Sequence, residues 1–350
     1  MEGWGRERNL APPGWALEGP SGDRRPAASC TDERMGERAG RVLITDVTLR
    51  EYGQNVPAQF LHLFTPEIRI EIAQRLIRMG FRGVEVFSCV HRRLAPAMSG
   101  DLLRAVAEGI GRVDRCEIIT LVPNKRGYRN FLDLGLGPDG YNHSLGIFFS
   151  AVEAHNLLNL GRPIQETLRE YQAIAKDAAS RGIRLVAYVS AAFGFREPER
   201  GTVLRAEADS IAGYLNLLFD LGAAAVTLSD LQGVADPEDT RNLLEEILNI
   251  RKGTGIEKIG YHPHHASGDR AVANSMAAYE TGIRRFDASL GGTGGCVTGA
   301  PGNQPTETLV RTFVEKGIET GLKQEDVAAL ADFVAKELYR PIQLPPGKSL

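Results

Sequence analysis

Three histidines fall within four residues of the segment GYHPHH. His262 and His264 are two residues apart, and in a β-strand such residues point to the same side. Two imidazoles that face one centre can chelate a metal ion. The alternative is that one histidine satisfies a hydrogen bond in the core while the others are solvated. His265 would face away from the pair, toward packing or solvent.

A glycine-rich stretch, SLGGTGGCVTGAPGNQPTE, follows the histidines and carries Cys296. Glycine adopts backbone conformations closed to other residues, so the stretch predicts a loop that brings Cys296 close to a ligand. The alternative is an ordinary flexible linker with a buried thiol. Asn303, at the end of the same stretch, supplies an amide oxygen that a metal could use.

Short β-branched runs alternate with amphipathic helical stretches from Arg41 onward, and eight such runs can be counted. Eight strands, each followed by a helix, predict an α/β fold, a (β/α)8 TIM barrel, with a C-terminal helix at its end. An open doubly wound sheet is the alternative, but no glycine-rich dinucleotide turn follows the first run. The predicted strands are residues 41–47, 83–88, 116–122, 143–150, 183–190, 224–230, 258–264 and 285–290.

Three regions are expected along the chain. Residues 1–40 are rich in glycine, proline and mixed charge without a sustained period, which predicts a disordered tail. Residues 41–340 are expected to form the catalytic barrel domain, and residues 341–350 a C-terminal tail.

Composition limits the classes of partner. The 350 residues are 43% hydrophobic, which is enough for a large core, and carry a formal net charge of -3. No overall basic field is present to hold nucleic acid or an anionic membrane, and no apolar run approaches the roughly 20 residues of a membrane span. Four irregularly spaced cysteines do not resemble a disulfide framework. We expect a cytoplasmic protein with small-molecule partners.

Active sites of TIM barrels lie at the carboxyl ends of the strands, so polar residues just past each strand are the candidates. Glu51 and the Asn303 amide would complete, with the two imidazoles, a mixed nitrogen and oxygen set that keeps positions open for substrate. Such a set suits a catalytic Mg²⁺ or Mn²⁺, with Zn²⁺ as the alternative. The candidates at the strand ends are Asp46, Arg50, Glu51, Gln54, Glu85, Ser150, Glu153, His155, Tyr188, Ser190, Asp230, His262, His264, Cys296 and Asn303.

Several segments in order resemble one superfamily. TDVTLREYGQ, GYHPHHASGDRAVAN and the glycine-rich stretch are similar to signatures of the DRE-TIM metallolyases, which include 3-hydroxy-3-methylglutaryl-CoA lyase, isopropylmalate synthase and homocitrate synthase. LVPNKRGYRNFLDLG, SAVEAHN, AYVSAAFG and TLSDLQGVADPED are more similar to the lyase. The similarity runs from about Arg41 to Phe333.

The resemblance implies a role for each matching residue. It implies four metal ligands, a catalytic arginine, a cysteine on the catalytic loop, and two further polar active-site positions. These are Glu51, His262, His264 and Asn303 as ligands, Arg50 as the arginine, Cys296 on the loop, and Glu85 and Asp230 as the polar positions.

The implied reaction is a metal-dependent retro-Claisen cleavage of a 3-hydroxy-3-methylglutaryl-CoA-like acyl-thioester to an acetyl-thioester and a 3-oxo acid. The cation would lower the pKa of the tertiary alcohol, and His262 or Asp230 would accept its proton. Arg50 would stabilise the departing enolate without losing its own proton. Cys296 would then protonate the enolate carbon. The acyl carrier would be coenzyme A or an acyl carrier protein, and the family resemblance implies a homodimer.

Departures from the lyase pattern leave the substrate open. The lyases usually carry aspartate at the position of Glu51, and an acidic or amide residue at that of His265. Tyr52 replaces a small glycine and is expected to add bulk near the mouth of the site. One alternative is a Claisen-type synthase that condenses an acyl-CoA with a 2-oxo acid, or a lyase of a specialised pathway. A non-catalytic descendant that binds metal or thioester is the other.

Overall fold

The computed structural model describes residues 41–56, 58–98, 100–265, 267–294 and 302–340. The predicted tails at 1–40 and 341–350 lie outside these ranges, as does Cys296. Within them the chain forms a closed barrel of eight parallel strands, so the predicted (β/α)8 barrel is confirmed. Cys89 and Cys116 are both free and buried.

All eight predicted strands are confirmed, with ends that differ by two residues at most. The first strand pairs in parallel with both the second and the last, which closes the barrel. The barrel strands are β1 (Leu43–Asp46), β2 (Gly83–Ser88), β3 (Glu117–Val122), β4 (Ser144–Ser150), β5 (Leu185–Ser190), β8 (Ala223–Asp230), β9 (Ile259–Pro263) and β10 (Arg285–Ala288), and a separate hairpin pairs β6 (Phe195–Arg196) with β7 (Val203–Leu204).

The barrel strands are mostly apolar and largely buried because parallel strands of this fold are covered on both faces. Every residue of β2 and of β5 is buried. Most of the core lies between the strands and the surrounding helices, while a smaller cluster inside the barrel contains Ile119, Leu121 and Val186. The barrel interior is thus a packed core below the site.

The helices begin and end with the expected residues. The Thr65 hydroxyl accepts a hydrogen bond from the Ile68 N–H at the start of one helix, and Gly80 ends that helix with φ 94°. No helix of the described ranges has the length and apolar character to cross a membrane. The helices are α1 (Thr48–Asn55), α2 (Pro66–Met79), α3 (Gly100–Ile110), α4 (Lys125–Asp133), α5 (Glu153–Leu160), α6 (Ile164–Ser180), α7 (Ala208–Asp220), α8 (Pro237–Ile250), α9 (Gly268–Glu280), α10 (Thr306–Glu315) and α11 (Gln324–Val334).

Tyr52 lies in the core and not at the mouth of the site. The expectation that its ring adds bulk near the mouth was therefore wrong. Its ring packs edge-on against Phe64 and Tyr339, with ring centroids 4.8 and 5.7 Å away. Its hydroxyl donates a hydrogen bond of 3.1 Å to the Leu338 carbonyl. Tyr52 therefore attaches α1 to the C-terminal helical segment.

Replacing Tyr52 by phenylalanine removes this buried hydrogen bond while keeping the ring. We expect Tyr52→Phe to lower the free energy of unfolding by about 1 kcal/mol and to leave KM unchanged. Tyr339→Phe is the matched control, because the buried Tyr339 hydroxyl has no hydrogen-bond partner to lose. Urea unfolding of the three proteins measures the difference, and equal stability of both variants would contradict the assignment.

Candidate functional site

A cavity of about 420 Å³ opens at the carboxyl ends of the strands, where the fold predicts an active site. Its lining combines polar side chains with apolar ones, among them Leu94, Leu121, Leu158 and Leu160. Seven of the predicted candidates line it: Arg50, Glu51, Gln54, Tyr188, Ser190, His262 and His264.

Glu51, His262 and His264 converge in this cavity. A carboxylate oxygen and one nitrogen from each ring all lie within 4.8 Å of one another, and all three residues are buried. His262 lies in β9 and His264 directly after it, and the alternation of extended backbone turns both side chains to the same side, as the sequence predicted. Glu51 meets them because α1 begins only two residues after β1 ends. The three groups can hold a metal ion together.

Asn303 joins this group from the far end of the glycine-rich loop, through a β-bridge to His264. Its side-chain Nδ2 donates a hydrogen bond of 2.8 Å to the Thr293 carbonyl, which fixes the orientation of the amide. Its Oδ1 is buried and has no hydrogen-bond partner. A buried amide oxygen without a donor is costly, and a cation beside Glu51 would satisfy it. One carboxylate, two imidazoles and one amide oxygen fit a catalytic divalent cation.

His262 is oriented by Asp287, whose Oδ2 lies 3.1 Å from the Nδ1 of the ring. That contact leaves Nε2 to approach the His264 Nε2 at 2.9 Å. Burial lowers the pKa of His262 to about 4, so the ring is neutral near pH 7, as a metal ligand must be. Nε2 cannot hold a cation and accept a proton at the same time. The close approach to His264 favours the ligand role over the predicted role as base.

Arg50 lies between two carboxylates at the floor of the cavity. Its Nε donates to Glu85 at 2.6 Å, its Nη1 pairs with Glu51, and Nη1 also lies 3.2 Å from the Gln54 amide oxygen. Burial opposes ionisation of Glu51, but the charge of Arg50 and the two imidazoles outweigh it and lower the pKa of Glu51. Burial dominates at Glu85 and raises its pKa. Arg50 is thereby held as a fixed cation.

The first glycines of the loop allow it to press against the metal ligands. Gly294 has φ 94°, a conformation that favours glycine. A Cβ atom there would lie 2.5 Å from the Glu51 Cβ and 2.6 Å from its Oε2. The same atom would lie 3.0 Å from the Asn303 Nδ2. The described part of the loop is therefore glycine because it packs directly on two predicted ligands.

Asp230, predicted as a possible base, is not among the residues that line the cavity. Its carboxylate accepts hydrogen bonds of 3.0 Å from the Val234 and Ala235 N–H groups, and it is fully buried. Burial raises its pKa to about 6, although these bonds oppose the shift. Asp230 instead fixes the loop after β8, and Ser229 faces the cavity in its place.

Other polar residues at strand ends also have structural partners. The Asp46 carboxylate accepts from the Thr48 N–H at 3.0 Å, at the turn into α1. Glu153 accepts from the Ile164 N–H at 3.0 Å, which joins α5 to α6. Asp46 and Glu153 do not line the cavity, and neither do the candidates Ser150 and His155.

Asp287 is the residue beside the candidate ligands that was not predicted from the sequence. It lies within RRFDAS, in a strand that was predicted, and its neighbour in register on β1 is Thr45. An acidic residue in the middle of a predicted barrel strand is the signal that could have identified it, because a buried carboxylate needs a partner. That partner is the His262 ring.

Fold and site together define a TIM barrel whose cavity at the carboxyl ends of the strands contains a candidate metal site. The HMGL-like family model matches residues 41–334, and the chain belongs to this family. This confirms the resemblance to the DRE-TIM metallolyases and makes the chain an enzyme of the lyase class.

Three similar proteins illustrate the relationship. A hydroxymethylglutaryl-CoA lyase of Bacillus subtilis is 29% identical, over 89% of this chain and 96% of its own. The (R)-citramalyl-CoA lyase of Chloroflexus aurantiacus is 31% identical, over 88% of this chain and 94% of its own. The structure of an HMG-CoA lyase from Acinetobacter baumannii, in complex with coenzyme A and 3-methylmalate, is 25% identical with a TM-score of 0.74, covering 89% and 97% of the two chains.

Gly294→Ala should disturb the site without disturbing the barrel. We expect metal affinity to fall about 10- to 100-fold, because the added methyl group meets Glu51 and Asn303. Titration calorimetry with Mn²⁺ measures the affinity, and circular dichroism checks the fold. Gly317→Ala is the matched control: Gly317 also has positive φ, at 72°, but a Cβ there would meet no atom within 4 Å. An equal loss of Mn²⁺ affinity in Gly294→Ala and Gly317→Ala would indicate that backbone strain, and not the contact with Glu51, causes the loss.

Asp287→Ala tests the support of the His262 ring. Removing the carboxylate frees the ring to rotate and its proton to move to Nε2, so metal affinity should fall about 10- to 100-fold. Asp287→Asn keeps an oxygen that can accept from Nδ1–H and should lose less. Mn²⁺ binding by the two variants decides the matter, and wild-type affinity in Asp287→Ala would show that the contact does not orient a ligand.

Proposed function

We propose that the protein is a divalent-metal-dependent lyase that cleaves a carbon–carbon bond in an acyl-CoA thioester with a tertiary alcohol. The substrate class is 3-hydroxy-3-methylglutaryl-CoA or a close relative, and the products are an acetyl-thioester and a 3-oxo acid. The observation that carries the proposal is the convergence of Glu51, His262 and His264 with the unpaired Oδ1 of Asn303. Similarity to two acyl-CoA lyases supports the choice of substrate class.

Glu51, His262, His264 and Asn303 would hold the cation, with Mg²⁺ or Mn²⁺ expected from the oxygen donors. When bound, the cation acts as a Lewis acid that lowers the pKa of the substrate alcohol. Asp287 keeps the lone pair of the His262 Nε2 directed at this position. The alcohol proton would pass to a base, the role predicted for His262 or Asp230, and the remaining chemistry belongs to Arg50 and Cys296.

Arg50 stabilises the negative charge that develops on the thioester enolate. Two carboxylates hold its guanidinium from one side, while 12% of its side chain remains exposed. A fixed and permanently charged donor in a largely buried cavity stabilises such charge without rearranging during the reaction. Glu85 acts as a positioning residue, since it contacts Arg50 and does not line the cavity.

Cys296 is proposed as the acid that protonates the enolate carbon. It lies outside the described residues, and its assignment rests on the match to the cysteine of the family's catalytic loop. Gly294, two residues earlier, packs against Glu51 and brings the start of that loop to the metal ligands.

A second candidate is the cleavage of a different hydroxyacyl-CoA. The relative with the higher identity of the two quoted above is an (R)-citramalyl-CoA lyase. Glu51 in place of the usual aspartate lengthens one ligand arm, which favours a substrate of altered shape.

A turnover assay of metal-reconstituted protein tests both candidates. We would supply 3-hydroxy-3-methylglutaryl-CoA and (R)-citramalyl-CoA in parallel and follow acetyl-CoA and the released acid by mass spectrometry. Product that disappears with a chelator and returns with Mn²⁺ supports the proposal and identifies the better substrate. If neither thioester is cleaved, while acetyl-CoA and a 2-oxo acid release free CoA, the enzyme is a condensing synthase.

Two variants separate chemistry from metal binding. Cys296→Ala should lower kcat by about 100-fold or more while metal content stays at the wild-type level, because a proton donor is lost. His264→Ala should lose both metal and activity, because a ligand is lost. Metal analysis by mass spectrometry and the turnover assay provide the two readouts. Wild-type metal content and activity in His264→Ala would refute the assignment of this cavity as the metal site.

A further inference from the structure

Two serine residues line the cavity next to the candidate metal ligands. Ser190 ends β5 and Ser229 lies near the end of β8, and both are buried, with exposed fractions of 7% and 3%. Within the described part of the chain, both residues form hydrogen bonds only through their backbone groups. Buried polar groups normally have a partner, so two hydroxyls that face a cavity without one indicate a polar group of a ligand.

Strand register places the two serines on the same wall of the cavity as His262. Ser229 is the neighbour of His262 in the pairing of β8 with β9. On the other side of β8, β5 pairs in parallel, and the Ala192 N–H donates to the Ser229 carbonyl at 3.0 Å. Ser190 therefore lies at the level of Ser229, and two hydroxyls and one imidazole follow each other on three adjacent strands.

The backbone at Ser190 is held in place from two directions. Its carbonyl accepts hydrogen bonds from the Ala151 N–H at 2.9 Å and from the Ser150 hydroxyl at 3.4 Å. The next residue, Ala191, has φ 50°, which is uncommon for a residue other than glycine. Such backbone conformations are concentrated at functional sites. The chain thus keeps the Ser190 side chain at the cavity before any ligand arrives.

The neighbouring wall of the cavity is apolar. Leu121 on β3 and Phe148 on β4 line it, and these strands follow β5 on the side away from β8. Arg50 comes just after β1, which lies opposite β5 in the order of the eight barrel strands. The cavity therefore offers hydroxyls on one side, apolar side chains beside them, and a guanidinium across from them.

The substrate class of the proposed function carries three polar groups near the bond that breaks. The alcohol is assigned to the cation site, and the thioester, which becomes the enolate, is assigned to Arg50. The third group is the free carboxylate of the acyl chain, which has no partner so far. Two hydroxyls can donate one hydrogen bond to each carboxylate oxygen, and hydrogen bonds to an ionised acceptor are the stronger kind.

We propose that Ser190 and Ser229 bind the free carboxylate of the acyl group and thereby determine which acyl groups the enzyme cleaves. This rests on the proposed function and narrows its substrates to thioesters of dicarboxylic acids. Leu121 and Phe148 then contact the methyl group on the alcohol carbon. A site built to hydrogen-bond a substrate group rejects an analogue that lacks it, because the polar groups of the site are left unpaired.

The test compares two thioesters that differ only at this group. In 3-hydroxy-3-methylpentanoyl-CoA a methyl group replaces the carboxylate of 3-hydroxy-3-methylglutaryl-CoA, and cleavage gives butanone in place of the 3-oxo acid. In both, the bond between the alcohol carbon and the thioester methylene breaks, and its electron pair passes to the enolate. The alcohol loses one proton and the enolate carbon gains one. For (R)-citramalyl-CoA the same replacement gives 3-hydroxy-3-methylbutanoyl-CoA.

The double variant Ser190→Ala/Ser229→Ala removes both hydroxyls, and Ser229→Ala removes the one beside His262. Ser88→Ala is the matched control. Ser88 also ends a barrel strand and has a buried hydroxyl without a partner, but it does not line the cavity. Acetyl-CoA formation by the Mn²⁺-loaded enzyme gives kcat/KM for each thioester, and titration calorimetry gives the Mn²⁺ affinity of each variant.

The wild type should cleave the carboxylate-bearing thioester with a kcat/KM about 100-fold or more above that of its methyl analogue. The double variant should lose at least about tenfold in kcat/KM with the carboxylate-bearing thioester and nothing with the analogue. Ser229→Ala should lose part of the same selectivity. Mn²⁺ affinity should stay at the wild-type level in all variants, and Ser88→Ala should match the wild type throughout.

Wild-type selectivity in the double variant would overturn the assignment of the two serines and leave the proposed lyase function standing. An equal loss with both thioesters, an equal loss in Ser88→Ala, or a wild type without preference for the carboxylate would overturn it as well. A wild type that cleaves neither member of either pair would overturn the proposed function and this assignment with it.

Discussion

The site depends on one electrostatic constraint, the burial of the Arg50 guanidinium at the carboxyl end of the barrel. Removing such a charge from water costs several kcal/mol unless partners with good geometry compensate it. Glu51 and Glu85 supply that compensation from two different elements, α1 and β2. The same carboxylate of Glu51 also faces the imidazoles of His262 and His264. Arg50, the two carboxylates and the candidate metal site therefore form one connected charge system at this end of the barrel.

The sequence predicted the barrel well because parallel strands buried on both faces leave a clear signal. Continuous β-branched runs such as GVEVFS in β2 have few other interpretations, and their ends agree with the structure to within two residues. The hairpin of β6 and β7 escaped detection because each strand has only two residues, too few to show a period. Its turn is closed by local hydrogen bonds, from the Glu197 N–H to the Thr202 carbonyl and from the Gly201 N–H to the Glu197 carbonyl, both 2.9 Å long.

The sequence predicted the positions of His262 and His264 correctly but not that of Asp230, and strand register explains why. His262 at the end of β9 and His264 just after it point to the same side whatever the neighbouring strands do, so sequence spacing alone placed them together. On β8, Ser229 lies beside His262 and Asp230 beside Pro263, and the sequence does not contain this register. The Asp230 side chain therefore faces the loop and not the cavity. Tyr52 was misplaced for a helical reason, since successive residues of α1 point about 100° apart and Glu51 occupies the inward position.

The presence of glutamate in place of the usual aspartate at position 51 is physically linked to the position of the glycine-rich loop. Gly294 lies so close to Glu51 that any side chain there would meet both the Cβ and the Oε2 of the ligand. The length of the side chain at position 51 therefore determines how near Gly294 and the described start of the loop can approach. A glutamate at this position changes the geometry of the candidate ligand and the approach of the loop together. Within the proposed function, the shape of the substrate site would then depend on this pair of contacts as well as on the residues that line the cavity.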